Sequence, residues 1–140
     1  NVMGIAAGML DGGGYGALKG VLMARGAREV SRLIAKMGGN ELSAYGLCHL
    51  GDYQATLFSS HSHNRQFGES FVKGEEYTKL AEGYYTVRAL LQMGKNYGVD
   101  LPICLVFRRR WMPFRRKITF KKRKMTSVCC LPFLQGICII

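Results

Sequence analysis

The feature that most constrains the fold is a long amphipathic stretch between residues 17 and 37. Apolar residues recur there at helical spacing, namely Leu18, Val21, Leu22, Val30, Leu33, Ile34 and Met37. Basic residues form a second stripe, namely Arg25, Arg28, Arg32 and Lys36. Such a stripe is typical of a solvated helix face. We therefore predict the longest helix of the chain over residues 17–37, with Asn40 capping the helix that follows.

Helical patterns continue through the rest of residues 1–103. The first ten residues are small and apolar and include Gly4 and Gly8, which predicts a buried helix packed closely on its neighbours. Further helices are expected over residues 40–48, around residue 52 and over residues 64–72. A last helix is expected to end at Gly98, before Pro102. No segment of strand length alternates apolar with polar residues. The expected fold of residues 1–103 is therefore all-α.

Charge divides the chain into two unequal parts. Residues 1–103 carry 10 Lys/Arg and 9 Asp/Glu, whereas residues 104–140 carry 10 Lys/Arg and no acid, within a total formal charge of +11. The second part also holds four of the five cysteines, namely Cys104, Cys129, Cys130 and Cys138. We therefore predict a near-neutral domain over residues 1–103 and an irregular, basic, Cys-rich tail over residues 104–140.

The tail supports a second class of function. Its basic clusters, residues 108–110, 115–117 and 121–124, alternate with aromatic residues. This charge density predicts nonspecific, salt-sensitive binding to polyanions. The alternative function is therefore a small basic protein that binds nucleic acid or anionic membranes through residues 105–125. The sequence contains no run of 18 apolar residues, so no membrane span is predicted. Residues 1–103 contain a single cysteine, Cys48, which favours a reducing compartment such as the cytoplasm.

The most informative polar segment is residues 51–68. Asp52 and Thr56 are four residues apart, so one helical turn would place them side by side. Residues 59–65 read Ser-Ser-His-Ser-His-Asn-Arg and resemble the start of a helix, where backbone N–H groups can bind an anion. Together they suggest a site for a small, hydroxylated, phosphorylated molecule. The alternative is an N-capped loop between two helices.

Metal binding is not predicted for this segment. The candidate ligands are Cys48, His49, His61 and His63. They lack a pair of recognised ligand spacings, so we expect no metal site.

These motifs together resemble a known enzyme family. Gly51-Asp52, a Thr four residues after the Asp, and the Ser-His-Asn-Arg at residues 62–65 are similar to the substrate signature of the NAD(P)-dependent glycerol-3-phosphate dehydrogenases. The opening residues 1–12, the helix with Lys19 and Arg25-Gly26, the Glu82-Gly83 pair with Thr86, and the closing residues 99–103 follow in the same order. The resemblance covers residues 1 to about 103. It implies the helical substrate-binding domain of a 6-phosphogluconate-dehydrogenase-like enzyme, without its N-terminal Rossmann domain.

The resemblance implies roles for residues of the substrate site. In the family, a hydride passes between NAD(P)H and dihydroxyacetone phosphate, giving sn-glycerol 3-phosphate for phospholipid synthesis, and the catalytic lysine would lie just before Asn1. Asn1 would touch the substrate, and Asp52 would orient the lysine or a substrate hydroxyl, with Thr56 hydrogen-bonded nearby. Ser62 and Asn64 would hold the phosphate. Without the family, Asp52 would be read as a helix N-cap.

The resemblance implies fewer roles toward the cofactor. Leu80 and Glu82 would face NAD or NADP, although Glu82 by itself reads as a solvated charge. The nucleotide-binding domain itself is not expected within these residues. The resemblance leaves the choice between a monomer and a homodimer open.

Three departures from the family pattern bear on what the chain can do. The family has an arginine at the position of His63, and a histidine cannot make the same bidentate phosphate contact. The stretch from Gly68 to Glu82 also looks shorter, and the tail does not resemble the family's partly acidic last helix. We therefore hypothesise that the 140 residues alone are inactive and that residues 104–140 are frameshifted or recombined sequence.

Overall fold

The structure is a computed structural model that describes the backbone of residues 1–111 and the side chains of residues 1–109. Its six α-helices are α1 (Val2–Gly12), α2 (Lys19–Lys36), α3 (Asp52–Phe58), α4 (His63–Lys73), α5 (Gly83–Tyr97) and α6 (Pro102–Trp111). Two short 3₁₀ helices, Gly16–Leu18 and Glu41–Tyr45, and a π-helical segment, Leu47–Gly51, complete the described part. All of its regular secondary structure is helical, so the prediction of an all-α domain is confirmed.

Helix α1 lies at the centre of the domain, with Ile5, Ala6 and Ala7 fully buried. Glycines let it approach α4 closely. A Cβ atom on Gly8 would lie 1.8 Å from the carbonyl oxygen of Arg65, and one on Gly68 would lie 2.0 Å from the carbonyl oxygen of Ile5. Neither contact leaves room for a methyl group, so both positions require glycine. The prediction of a buried first helix in close contact with its neighbours is confirmed.

Most predicted helix ends are also confirmed. The side-chain oxygen of Asn40 accepts the N–H of Leu42 at 3.0 Å, as a cap does. Helices α4 and α5 end at Gly74 and Gly98, which have left-handed backbone angles (φ of 71° and 64°). The helix predicted over residues 40–48 is instead the 3₁₀ helix and π-helical segment described above.

The expectation that the helix ending at Gly98 is the last one is wrong. Helix α6 begins at Pro102 and runs past the predicted end of the domain at residue 103. Cys104 and Phe107 on this helix are buried in the core, with exposures of 1% and 2%. Apolar residues of the segment assigned to the tail therefore complete the core of the helical domain.

Glu29 of α2 fixes the start of α6. It is 2% exposed, and its carboxylate accepts the backbone N–H of Ile103 at 2.9 Å and of Cys104 at 3.3 Å. Burial raises the pKa of Glu29, while these hydrogen bonds oppose the increase. Nearby, Arg32 donates to the carbonyl oxygen of Asp100 at 3.1 Å. This residue of the predicted solvated stripe therefore holds the loop before α6.

The rest of the predicted tail cannot be compared with the structure. The basic clusters at 115–117 and 121–124 and the last three cysteines lie outside the described residues. Among the helices that the structure describes, none is both long enough and apolar enough to span a membrane.

Candidate substrate-binding site

A chain of side-chain amides connects three parts of the sequence. Asn64, in the first turn of α4, donates from Nδ2 to Oδ1 of Asn1 at 3.0 Å. Asn1 in turn donates from its own Nδ2 to Oε2 of Glu82 at 3.1 Å. The Oδ1 atom of Asn64 accepts the buried N–H of Gly83 at 2.9 Å. This network brings together the predicted site residues Asn1, Asn64 and Glu82, which are up to 81 positions apart in the sequence.

A second group of predicted residues surrounds Gly4 on helix α1. A Cβ atom on Gly4 would lie 3.0 Å from Cγ2 of Thr56, 3.2 Å from Cβ of Asn64 and 3.8 Å from Oγ of Ser62. Because Gly4 has no side chain, α3 and the start of α4 can approach α1 at this point. Thr56, Ser62 and Asn64 therefore lie around one spot, which adjoins the amide network through Asn64.

Ser62 has a local structural partner as well. It is the N-cap of α4, and its Oγ accepts the backbone N–H of Arg65 at 3.3 Å. The predicted start of a helix within the polar cluster is therefore confirmed. The capped-loop interpretation and the anion-site interpretation both fit this geometry, since one hydroxyl can cap a helix and still face a ligand.

Acidic groups face the N-terminal end of α1. Glu82 Oε2 accepts a hydrogen bond from Nδ2 of Asn1 at 3.1 Å, and the carboxylate of Asp52 lies within electrostatic range of the backbone nitrogen of Asn1. Asp52 and Glu82 are both exposed. The N-terminal end of α1 is therefore surrounded by acidic groups. Asp52 also begins α3, so it shares a helix face with Thr56 one turn later, as the spacing predicted.

Two further predicted residues also lie at the surface. His63, the first residue of α4, is exposed beside the buried Asn64. Leu80 precedes Glu82 in the segment before α5 and is 62% exposed.

A compact ion-pair cluster lies along α1 behind the site. Asp11 Oδ2 is 2.6 Å from Nζ of Lys19 and 2.6 Å from Nε of Arg65. These side chains are mostly buried, at 8% exposure for Lys19, 18% for Arg65 and 15% for Asp11. Lys19 also lies 4.9 Å from the ring centroid of Phe58. The guanidinium of Arg65 is therefore already paired with a carboxylate, and the sequence analysis missed the role of Asp11.

The geometry supports binding of a small polar molecule more directly than it supports metal binding or catalysis by a cysteine nucleophile. Amide, hydroxyl and carboxylate groups converge near Asn1 and Gly4, and these groups can hydrogen-bond a hydroxylated substrate. Within the described side chains, no group of three His, Cys, Asp or Glu residues is arranged to hold a metal ion. The buried Cys104 thiol has a pKa raised by burial and by the neighbouring Glu29, so it is a poor nucleophile.

Comparison with known proteins agrees with the resemblance seen in the sequence. The glycerol-3-phosphate dehydrogenase [NAD(P)+] of Thermus thermophilus is 44% identical over 109 residues, covering 74% of this chain and 34% of that protein. The enzymes of the same name from Prosthecochloris aestuarii and Bacillus subtilis strain 168 are 40% and 41% identical over 111 residues. These matches cover 74% of this chain and 33% and 32% of those proteins. The chain thus spans about a third of the length of these relatives.

A family model described as NAD-dependent glycerol-3-phosphate dehydrogenase C-terminus matches residues 1–109. The match extends into α6, six residues past the end predicted from the sequence. Over these residues the chain has the fold and the ordered motifs expected of the family. The chain therefore belongs to the family of NAD-dependent glycerol-3-phosphate dehydrogenase C-terminal domains.

Proposed function

We propose that residues 1–109 form the substrate-binding part of an NAD(P)-dependent dehydrogenase that interconverts dihydroxyacetone phosphate and sn-glycerol 3-phosphate. The observation that carries this proposal is the convergence of Asn1, Asn64 and Glu82 in one hydrogen-bonded network beside Thr56 and Ser62. The relatives with this domain are named for the same reaction. A role in supplying glycerol 3-phosphate for phospholipid synthesis in the cytoplasm follows from the same proposal.

The proposed roles follow from position. Asn1 and Asp52 would bind and orient the reacting end of the substrate, with Thr56 beside Asp52 on the same helix face. Ser62 and Asn64 would hold its phosphate at the N-terminus of α4, where backbone N–H groups and the helix dipole favour an anion. Asn64 is already hydrogen-bonded to Asn1 and Gly83, so its main effect would be to fix the positions of α1, α4 and the start of α5 relative to one another.

The cofactor would be NAD or NADP, which supplies or accepts the hydride. The described residues form no strand and hence no βαβ nucleotide-binding unit. Leu80 and Glu82 would line only the substrate side of a nucleotide held by another domain. We therefore expect the 140 residues alone to show no dehydrogenase activity.

The position of His63 provides the test. Residues 1–109 would replace the matching segment of the Bacillus subtilis relative, and NADH-dependent reduction of dihydroxyacetone phosphate would be measured with and without His63→Arg. A charged phosphate hydrogen bond contributes about 1.5–3 kcal/mol, so arginine should raise kcat/KM about 10- to 150-fold. His61→Arg is the matched control, since His61 is also exposed and lies two residues away.

The result must depend on position to support the proposal. Equal gains from the arginine at 61 and at 63 would indicate general electrostatic attraction and would contradict a phosphate contact at residue 63. A folded chimera with no activity in either variant would contradict the proposed function.

One observation supports the alternative function, which is polyanion binding through residues 105–125. Arg108 and Arg109 are exposed at the end of α6. Removal of residues 112–140, which leaves Arg108 and Arg109 in place, should strongly weaken salt-sensitive binding to RNA or anionic vesicles if the tail has this role.

A further inference from the structure

A groove between α5 and α6 lies outside the proposed substrate site. It has two adjoining parts of about 310 Å³ each, which share Leu91, Lys95 and Arg108. Its apolar lining comes from both helices and their connection, through Leu91, Val99, Leu101 and Leu105. Neither part contains any of the predicted site residues.

The same groove carries uncompensated positive charge. Arg88, Lys95 and Arg108 line it, and all three are exposed. Among the described side chains, the ion pairs involve Lys19, Arg65 and Lys73 and none of these three. Of the described residues that line the groove, one is acidic, namely Asp100. An apolar floor with a cationic rim is complementary to a ligand that is apolar on one face and acidic beside it.

The rest of this chain does not supply such a ligand. Residues 109–124 contain nine Lys/Arg and no acid, so their charge would repel the rim, and the uncharged residues 125–140 have no side-chain carboxylate to pair with it. A free inorganic anion would leave the apolar lining uncovered. An RNA strand would match the rim, but among the described side chains that line the groove none is aromatic, so bases would find no stacking surface there.

We propose that the groove between α5 and α6 binds an acidic amphipathic helix from another protein chain. Leucine-like side chains of that helix would enter between Leu91 and Leu105, as in other helix-in-groove complexes. Its carboxylates would pair with Arg88, Lys95 and Arg108 at the rim. This interaction is independent of the proposed dehydrogenase site.

The test uses the full 140-residue chain and a fluorescein-labelled helical peptide of about 15 residues, with leucines on one face and glutamates on both flanks. Fluorescence anisotropy would measure its Kd. We expect Lys95→Glu with Arg108→Glu to raise the Kd about tenfold, equivalent to ~1.4 kcal/mol. The control pair, Arg28→Glu with Lys36→Glu, makes the same charge change on exposed positions of α2 and should change the Kd less than about twofold.

Two comparisons separate the groove from general attraction to the basic tail. A peptide of the same composition with its leucines scrambled should bind at least about five times more weakly, because it cannot fill the apolar floor. Circular dichroism would check that all variants keep the helical content of the parent chain. Equal weakening by both charge-reversal pairs, or equal binding of the scrambled peptide, would overturn the proposal. A single-stranded RNA that alone showed the groove-specific pattern would also overturn it.

Discussion

The buried carboxylate of Glu29 is expected to be a main determinant of stability. It connects α2 to the first turn of α6 through the N–H groups of Ile103 and Cys104. These groups are among the N-terminal amides that a helix cannot satisfy internally. Because Ile103 and Cys104 are 4% and 1% exposed, water cannot readily replace the carboxylate.

Truncation of this side chain should therefore be costly. Hydrogen bonds to charged groups contribute about 1.5–3 kcal/mol each, and the Cys104 contact is long at 3.3 Å, so both bonds are counted near the lower limit. Glu29→Ala should lower the free energy of unfolding by about 3 kcal/mol. For a domain of this size the melting temperature should fall by about 12 °C.

Glu29→Gln separates the hydrogen bonds from the charge. Glutamine keeps a side-chain oxygen that can accept one of the two N–H groups, so its loss of stability should be smaller than that of alanine. Burial raises the pKa of Glu29 in the folded state. The folded state therefore binds this proton more tightly than the unfolded state does. The resulting stabilisation is complete below the unfolded pKa and is lost as the pH rises through the folded pKa.

The direction in which the stability of Glu29→Gln changes with pH, relative to the parent chain, can be checked. Glutamine does not titrate, so relative to the parent chain Glu29→Gln should become more favourable as the pH rises above the ordinary glutamate pKa of about 4.3 and through the raised pKa of the folded state. Urea unfolding followed by circular dichroism would measure both variants, with Glu76→Ala as the control because Glu76 is exposed. A Glu29→Ala change as small as that of Glu76→Ala would refute the capping role. A glutamine variant whose relative stability does not vary with pH would refute the argument from burial.

Two further predictions concern close contacts within the domain. Gly8→Ala should lower the free energy of unfolding by about 3 kcal/mol or more, since the added Cβ would lie 1.8 Å from the Arg65 carbonyl oxygen. Gly20→Ala should instead raise it by about 0.5–1 kcal/mol, because a Cβ there meets nothing within 4 Å and alanine favours a helix; urea midpoints with opposite signs would confirm both. Asn64→Ala should cost about 1–3 kcal/mol because the buried N–H of Gly83 loses its acceptor, whereas the exposed Asn96→Ala should change stability by less than about 0.5 kcal/mol. Equal effects at 64 and 96 in the same unfolding assay would contradict the buried hydrogen bond.

Local patterns in the sequence predicted much of this fold because its helices follow simple rules. The spacing of Leu22 and Leu33, the cap at Asn40 and the glycines after α4 and α5 each reflect interactions within a few residues. In the sequence, helix α6 is obscured by the run of arginines at 108–110, although Ile103 and Phe107 have helical spacing. Its apolar face was visible in the sequence but was assigned to the tail.

Glu29 shows a different kind of missed signal. It lies seven residues after Leu22 and four before Leu33, which places an acid within the apolar stripe of α2. An acid in such a stripe predicts a buried partner. Its partners are the backbone N–H groups of a segment 74 and 75 residues away. Local rules could identify the anomaly but could not identify those partners, and the same limit applies to the contact between Asn1 and Glu82.

The electrostatics of the proposed site give His63 its importance. Asp52 and Glu82 place negative charge near Asn1, whereas a phosphorylated substrate requires positive charge at its other end. Within residues 59–66 the single permanent cation is Arg65, and its guanidinium is bound to Asp11 at 2.6 Å. The N-terminal amides of α4 supply only partial charge. A cation at residue 63, exposed beside Asn64 on the same helix turn, would therefore change phosphate affinity more than a cation at residue 61. For this reason the comparison of His63→Arg with His61→Arg tests the location of the phosphate as well as the proposed reaction.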